Sequence, residues 1–193
     1  MGKPVTIVQD SSNPVPVALY EGDAEIDDSG SLVTIDLVHH KIHEGNHYNV
    51  SYYEKVGAST AINVLITVGS KPIHLVSEIV CDNPGMATFS KNPNATTSGS
   101  TAIICYNNNG NSSNVTDASF TVGGTYTSSG TVMRYYLFGS SSGTGGNKAT
   151  MGSLAGEINE IILSMRGSYL LRFVADGAST RTVIRSAFYE QDW

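Results

Sequence analysis

From Ser31 onward, apolar residues tend to recur at every second position. In Ile62-Asn63-Val64-Leu65-Ile66-Thr67-Val68 the positions 62, 64, 66 and 68 are all apolar, and in Leu32 to Leu37 the residues Val33, Ile35 and Leu37 fall on one face. A period of two sets such residues on one side of an extended chain, so these segments predict half-buried β-strands. Tyr48 to Tyr52 alternates in the same way. Ile73–Val80, Thr101–Tyr106, Ala118–Val122, Thr131–Phe138, Tyr169–Ala175 and Thr182–Tyr189 are β-branched or aromatic runs bounded by Gly, Asn, Ser or Pro, and they extend the strand set. Asn107 to Asn114 and Gly139 to Asn147 read as long polar loops. Leu154 to Met165 offers a helical spacing through Leu154, Ile158, Ile161, Ile162 and Met165. Gly156 and the β-branched pair Ile161-Ile162 work against it, and a strand over Glu160 to Leu163 is an equal expectation.

Eight or more antiparallel strands bury their inner faces only in a sandwich or a closed barrel. The irregular mixture of long and short connections favours an all-β, antiparallel Greek-key sandwich, a jelly roll above all, over an up-and-down barrel. Residues 1–30 differ. Val5 to Val8 suits a short strand, and each proline of Asn13-Pro14-Val15-Pro16-Val17 fixes its own φ and holds its predecessor extended. Glu21 to Gly30 is acidic and turn-like. The expected division is therefore an extended N-terminal arm over 1–30, free to run along a neighbouring subunit, and a β-sandwich over 31–193. At 193 residues, the chain is long enough for one sizeable core.

Charge narrows the partners. The net charge is −6, and eleven Lys and Arg are scattered rather than clustered, so the counterion release that drives nucleic-acid binding has no footprint. No apolar run approaches a membrane span, and Met1 to Pro14 lacks the apolar core of a secretory signal; neither membrane nor export is expected. Cys81 and Cys105 each sit in or beside an apolar run, which predicts reduced thiols rather than a required disulfide. Gly143 to Gly146 is not followed by the Lys-Ser/Thr of a phosphate loop, and no G-x-S-x-G elbow occurs. Asp36, Glu44, Glu54, Glu78, Glu157 and Glu160 give no reason to pair across a cleft. Tyr52, Tyr53, Tyr135, Tyr136, Tyr169, Phe188, Tyr189 and Trp193 could line a sugar site, but their alternation within strands favours core and interface packing.

His39-His40-Lys41-Ile42-His43-Glu44-Gly45-Asn46-His47 holds four of the five histidines and contains a literal H-E-x-x-H, His43 to His47. On one helical face those histidines would hold zinc with Glu44 as base, the signature of a zinc hydrolase. Gly45 and Asn46 favour a turn instead, and strands over Ser31 to His39 and Tyr48 to Val56 leave room only for a tight connection. The expectation is a hairpin from which His43 and His47 splay apart. Non-catalytic metal binding by His39, His40, His43 and His47 would need them to converge around that turn or a symmetry axis. No catalytic, cofactor-binding or metal residue is assigned.

Four motifs together carry a resemblance: Asn13-Pro14-Val15-Pro16-Val17; His40-Lys41-Ile42-His43-Glu44-Gly45 before Tyr48-Asn49-Val50-Ser51; Glu160-Ile161-Ile162-Leu163 before Tyr169-Leu170-Leu171-Arg172-Phe173; and Phe188-Tyr189-Glu190. With them the chain resembles virion structural proteins of tailed bacteriophages, over most of residues 31–190. The resemblance implies a non-enzymatic decoration (cement) protein on the capsid exterior, made in the bacterial cytoplasm. It would bind the major capsid protein as a homotrimer or homodimer, without cofactors. Proteins of this look also occur in tails and baseplates, so a tail component or a receptor- or carbohydrate-binding β module is the alternative expectation.

Overall fold

The computed structural model describes residues 25–26, 32–33, 37–96, 98–138, 149–151, 160–176 and 179–191. The chain divides into two compact units, Met1–His40 and Lys41–Trp193. In the first, β1 (Glu25–Ile26) pairs antiparallel with β2 (Leu32–Val33), so part of the acidic stretch expected as turn is a short strand. The strand over Val5 to Val8 and the proline-rich extended segment lie outside the described residues. The alternation expected to run as a strand to His39 stops earlier: Leu37–His43 forms a helix, α1. Val38 breaks the period of two, and beyond it no further alternation holds the chain extended.

The second unit contains β3 (His47–Val56), β4 (Ala61–Thr67), β5 (Ile73–Cys81), β6 (Gly85–Lys91), β7 (Asn94–Thr96), β8 (Thr101–Ile103), β9 (Cys105–Asn107) and β10 (Ser119–Val122). β11 (Thr125–Ser128), β12 (Thr131–Phe138), β13 (Ala149–Met151), β14 (Ile161–Leu163), β15 (Ser168–Ala175) and β16 (Thr180–Glu190) follow. One sheet runs β13-β5-β16-β3-β9, with β14 also on β5; the other runs β12-β6-β15-β4-β10-β8. All the pairings are antiparallel. The two sheets form an antiparallel β-sandwich, as the alternation predicted. The finer jelly-roll expectation is not established by this strand order.

Successive strands alternate between the sheets: β3 to β4, β4 to β5, β5 to β6, and β15 to β16. Neighbours within a sheet are therefore distant in sequence, and β16 lies between β5 and β3. The core forms where the inward parity of each strand meets. Ile62, Val64 and Ile66 of β4, Tyr169, Leu171 and Phe173 of β15, and Ile73, Leu75 and Ile79 of β5 are all buried in one cluster. Phe188 of β16 stacks on Tyr48 at 5.4 Å within its own sheet and on Phe120 of the other at 5.3 Å. Offset aromatic contacts at such spacings add to the burial of the rings.

Two departures from the alternation have local causes. The run Thr101–Tyr106 is not one strand: it breaks at exposed Ile104, with β8 joining one sheet and β9 the other. β6, whose sequence Gly-Met-Ala-Thr-Phe-Ser-Lys is absent from the expected strands, lies between β15 and β12. Small side chains suit it there, since a Cβ on Gly85 would come within 2.6 Å of the Phe173 ring. β7 and β11 pair as a separate ribbon, and Tyr126 of β11 takes the Arg172 guanidinium over its ring at 5.7 Å. Ala95 and Tyr126 with Leu65 and Leu170 enclose a small space there, which places the ribbon on the outer face of the second sheet. Neither cysteine is in a disulfide, as expected of thiols in apolar runs, and burial pushes the Cys81 thiol up to about 11.

Phe173 is fully buried and meets Phe138 edge-on at 5.7 Å. Phe173→Ala is expected to lower unfolding stability by about 3–5 kcal/mol, read as a reduced urea midpoint with unchanged slope. A change below about 1 kcal/mol would contradict the placement of this ring at the centre of the core.

Candidate functional site

The histidine segment is a helix end, not a hairpin. Gly45 N donates to Ile42 O at 3.0 Å and Asn46 N to Lys41 O at 2.9 Å, the paired bonds of a Schellman cap closing α1. Gly45 takes the left-handed conformation this cap requires, with φ of 73°. The Asn-rich loop then clamps the cap. Asn107 Nδ2 donates to Gly45 O (2.8 Å), Asn109 Nδ2 to His43 O (3.0 Å) and Asn114 Nδ2 to Glu44 O (3.2 Å), so three successive carbonyls of the helix end and its cap are met. His43 is the last residue of α1 and His47 the first of β3, so the H-E-x-x-H spans a cap rather than a helical face. Among the described residues, no group of three or more His, Cys, Asp or Glu is placed to hold a metal ion.

His47 is buried and belongs to a polar row that crosses the first sheet. Register sets His74 of β5 beside Tyr189 of β16, and Tyr189 beside His47 of β3. The His74 ring stacks on Tyr189 at 4.5 Å, its Nδ1 donates to Glu160 Oε1 at 2.7 Å, and its Nε2 faces the Gln191 amide. Tyr189 OH donates to the same Glu160 oxygen at 3.0 Å. Burial, reinforced by that bond and by the Glu160 charge, pushes the phenol up to about 12. At the far end Asn108 Nδ2 donates to His47 Nδ1, which leaves the ring proton on Nε2, and burial lowers the pKa of this imidazole. Glu160, for which the sequence offered no partner, thus anchors the row.

The buried Glu190 carboxylate acts as a structural tie. Glu190 Oε1 accepts from Thr116 Oγ1 (2.6 Å) and Asp117 N (2.8 Å), and Glu190 N donates to Asn46 O (3.1 Å). Asp117 in turn accepts from Ser70 N and Ser70 Oγ at 2.6 and 2.7 Å, bonds that hold its carboxyl below the usual range.

Next to the row of rings, the outward side of β3, β5 and β16 forms a cavity of about 550 Å³. Asn49, Ser51, Val76, Glu78, Arg185 and Ala187 line it. Arg185 Nη1 stands 3.7 Å from Glu78 Oε2. None of these residues was assigned a role from the sequence; their shared outward parity was visible, but the register that brings three distant strands together was not. The aromatic candidates divide. Tyr169, Phe188 and Tyr189 are buried, and Tyr52 and Tyr136 pack against the core, while Tyr53 and Tyr135 are exposed. Trp193, Asp36 and Glu157 lie outside the described residues. On the other sheet, edge strand β12 turns Met133, Tyr135 (68% exposed) and Leu137 (83%) to solvent.

The fold and these sites define an antiparallel β-sandwich with a capped helix at its entry and a polar groove on one face. Compared with protein-family models, curated proteins and solved structures, the chain shows no match.

Two outcomes test this geometry. A Cβ at Gly45 would lie 2.2 Å from Ser112 Oγ as well as demanding a left-handed backbone. Gly45→Ala should therefore destabilise by about 1–3 kcal/mol, measurable by thermal melting, whereas Gly110→Ala, with open space around it, should not. The His47 imidazole has its folded pKa below the ordinary 6.5. The unfolded chain binds the proton more readily there, so stability present above pH 6.5 is lost as the pH falls below it. His47→Asn should flatten that acid slope in urea titrations, and an unchanged slope would refute the assignment.

Proposed function

We propose that this protein is a structural component of a tailed-bacteriophage virion, a decoration or cement protein on the capsid exterior. It binds the major capsid protein through protein–protein contacts and carries out no catalysis. The observation that supports this most is the use to which its marker motifs are put. His43-Glu44-Gly45 closes a helix and receives the Asn clamp. Tyr169-Leu170-Leu171-Arg172 is an inner strand of one sheet, and Phe188-Tyr189-Glu190 ends an inner strand of the other. Each motif serves the scaffold, which suits a protein whose work is rigid attachment.

Attachment also needs contact surface. On β12, which ends the strand order of its sheet among the described residues, exposed Met133, Tyr135 and Leu137 form an apolar strip of the kind that takes a further strand or a partner. In this reading the strip serves the homotrimer or homodimer contact, and residues 1–30 reach the capsid or a neighbouring subunit. Linked contacts then raise avidity through effective concentration. A tail or baseplate position is the competing placement.

Reconstruction of particles carrying the protein decides between these positions, with density expected on the outer face of the head. Removing residues 1–30, or introducing Tyr135→Ser with Leu137→Ser, should lower capsid occupancy by about tenfold or more, as the loss of one of two linked contacts does. Full occupancy by both variants would sink the proposal.

A further inference from the structure

We propose that the groove on the outward face of β3, β5 and β16 is a binding site for a neutral saccharide. Its volume of about 550 Å³ falls within the range of small-ligand sites. The floor is low at Ala187, which register sets between Asn49 and Val76, and Arg185 stands next along the same strand between Ser51 and Glu78. Around that floor the polar groups are of both kinds. The Arg185 guanidinium only donates, the Glu78 carboxylate only accepts, and the Ser51 hydroxyl and Asn49 amide do both. The Asn49 amide is itself fixed by donating to Asn108 Oδ1. Mixed donors and acceptors a few ångströms apart match adjacent sugar hydroxyls, each of which can give and take a hydrogen bond.

The charges narrow the ligand further. Arg185 stands against Glu78 at 3.7 Å, so a phosphate or carboxylate approaching the guanidinium also meets an anion. An ion pair open to solvent contributes little stability by itself, and its two head groups can turn to a ligand at small cost. A purely apolar ligand would strip water from both ions without replacing their bonds. A neutral polyol meets neither penalty.

Two tyrosines supply the apolar half of sugar recognition. Tyr106 of β9 is the cross-strand neighbour of Asn49 and is 63% exposed. Tyr53 follows Ser51 by two residues on the same side of β3, about 7 Å along the strand, and is 60% exposed. Exposed rings beside a polar floor fit the C–H faces of a pyranose, with an apolar body and a polar tip on each side chain. Neither ring belongs to the core, so neither is held there by packing.

The test uses the intact chain, labelled and applied to an array of neutral and acidic oligosaccharides. Maltotriose, cellotriose and chitotriose are then titrated calorimetrically. Binding to neutral glycans is expected. Glu78→Gln and Arg185→Gln should each weaken it by about tenfold, as loss of a charge-assisted hydrogen bond does. Tyr53→Ala and Tyr106→Ala should each weaken it by about threefold. All four positions are solvent-facing, so the melting temperature should stay at the parent value, and capsid occupancy should not change. Absence of any neutral-glycan binding, binding confined to acidic glycans, or binding indifferent to all four substitutions would overturn the proposal.

Discussion

The structure depends on what β16 carries at its C-terminal end. Phe188 faces inward and stacks on Tyr48 of its own sheet and on Phe120 of the opposite one, so a single ring couples the two layers. Two residues further, Glu190 remains buried, with the loop at Thr116 and Asp117 held to one carboxylate oxygen. A buried carboxylate is tolerable only when its lone pairs are met, and here hydroxyl and amide donors meet them. Between these two, Tyr189 points the other way into the row that joins His74 and Glu160 to His47. Three consecutive side chains therefore bind the opposite sheet, the outer row and the loop near the helix cap.

That arrangement explains how a weakly charged sandwich rich in Asn and Ser is held together without a disulfide between Cys81 and Cys105. Its polar residues are used as local donors. Asn107, Asn109 and Asn114 meet carbonyls of the α1 end and its cap, while Asn109 N and Asn111 N donate to the side chains two residues earlier, the Asx geometry that stiffens a loop. Ser77 and Ser186 satisfy one another at 2.9 Å between β5 and β16. Composition reads such a stretch as loop; the same side chains, once their carbonyl partners are placed, form a clamp.

The period of two was legible wherever a strand has one dry and one wet face, as in β4, where Ile62, Val64 and Ile66 are buried and their neighbours are not. Thr131–Phe138 and Tyr169–Ala175 were readable for the same reason, within a residue of β12 and β15. It failed where a run passes from one sheet to the other, as at Thr101–Tyr106, which breaks at exposed Ile104. It failed too at α1, since only seven residues are helical and the cap chemistry of Gly45 was read as a hairpin turn. The partners of Glu78, Glu160 and Glu190 were beyond reach for a different reason. Each lies on another strand or loop, 107, 86 and 74 residues away for Arg185, His74 and Thr116, and register between distant strands leaves no local trace.

The two faces of the sandwich are not equivalent, and the difference follows from how each outer surface is satisfied. On the second sheet the β7–β11 ribbon lies over Leu170 and holds Arg172 against Tyr126, so that surface is spent on internal packing. On the first sheet, outward side chains are bulky at one end, where His74 stacks on Tyr189 and Tyr189 bonds to Glu160, and small at Ala187 on the central strand. A sheet with a tall, rigid row beside a low floor is concave without any loop to shape it. Its concavity is set by strand register, the same feature that aligns the core beneath, so a recognition surface there is as rigid as the scaffold. Attachment through an edge strand and recognition through a sheet face can then coexist in one domain, because they use different strands.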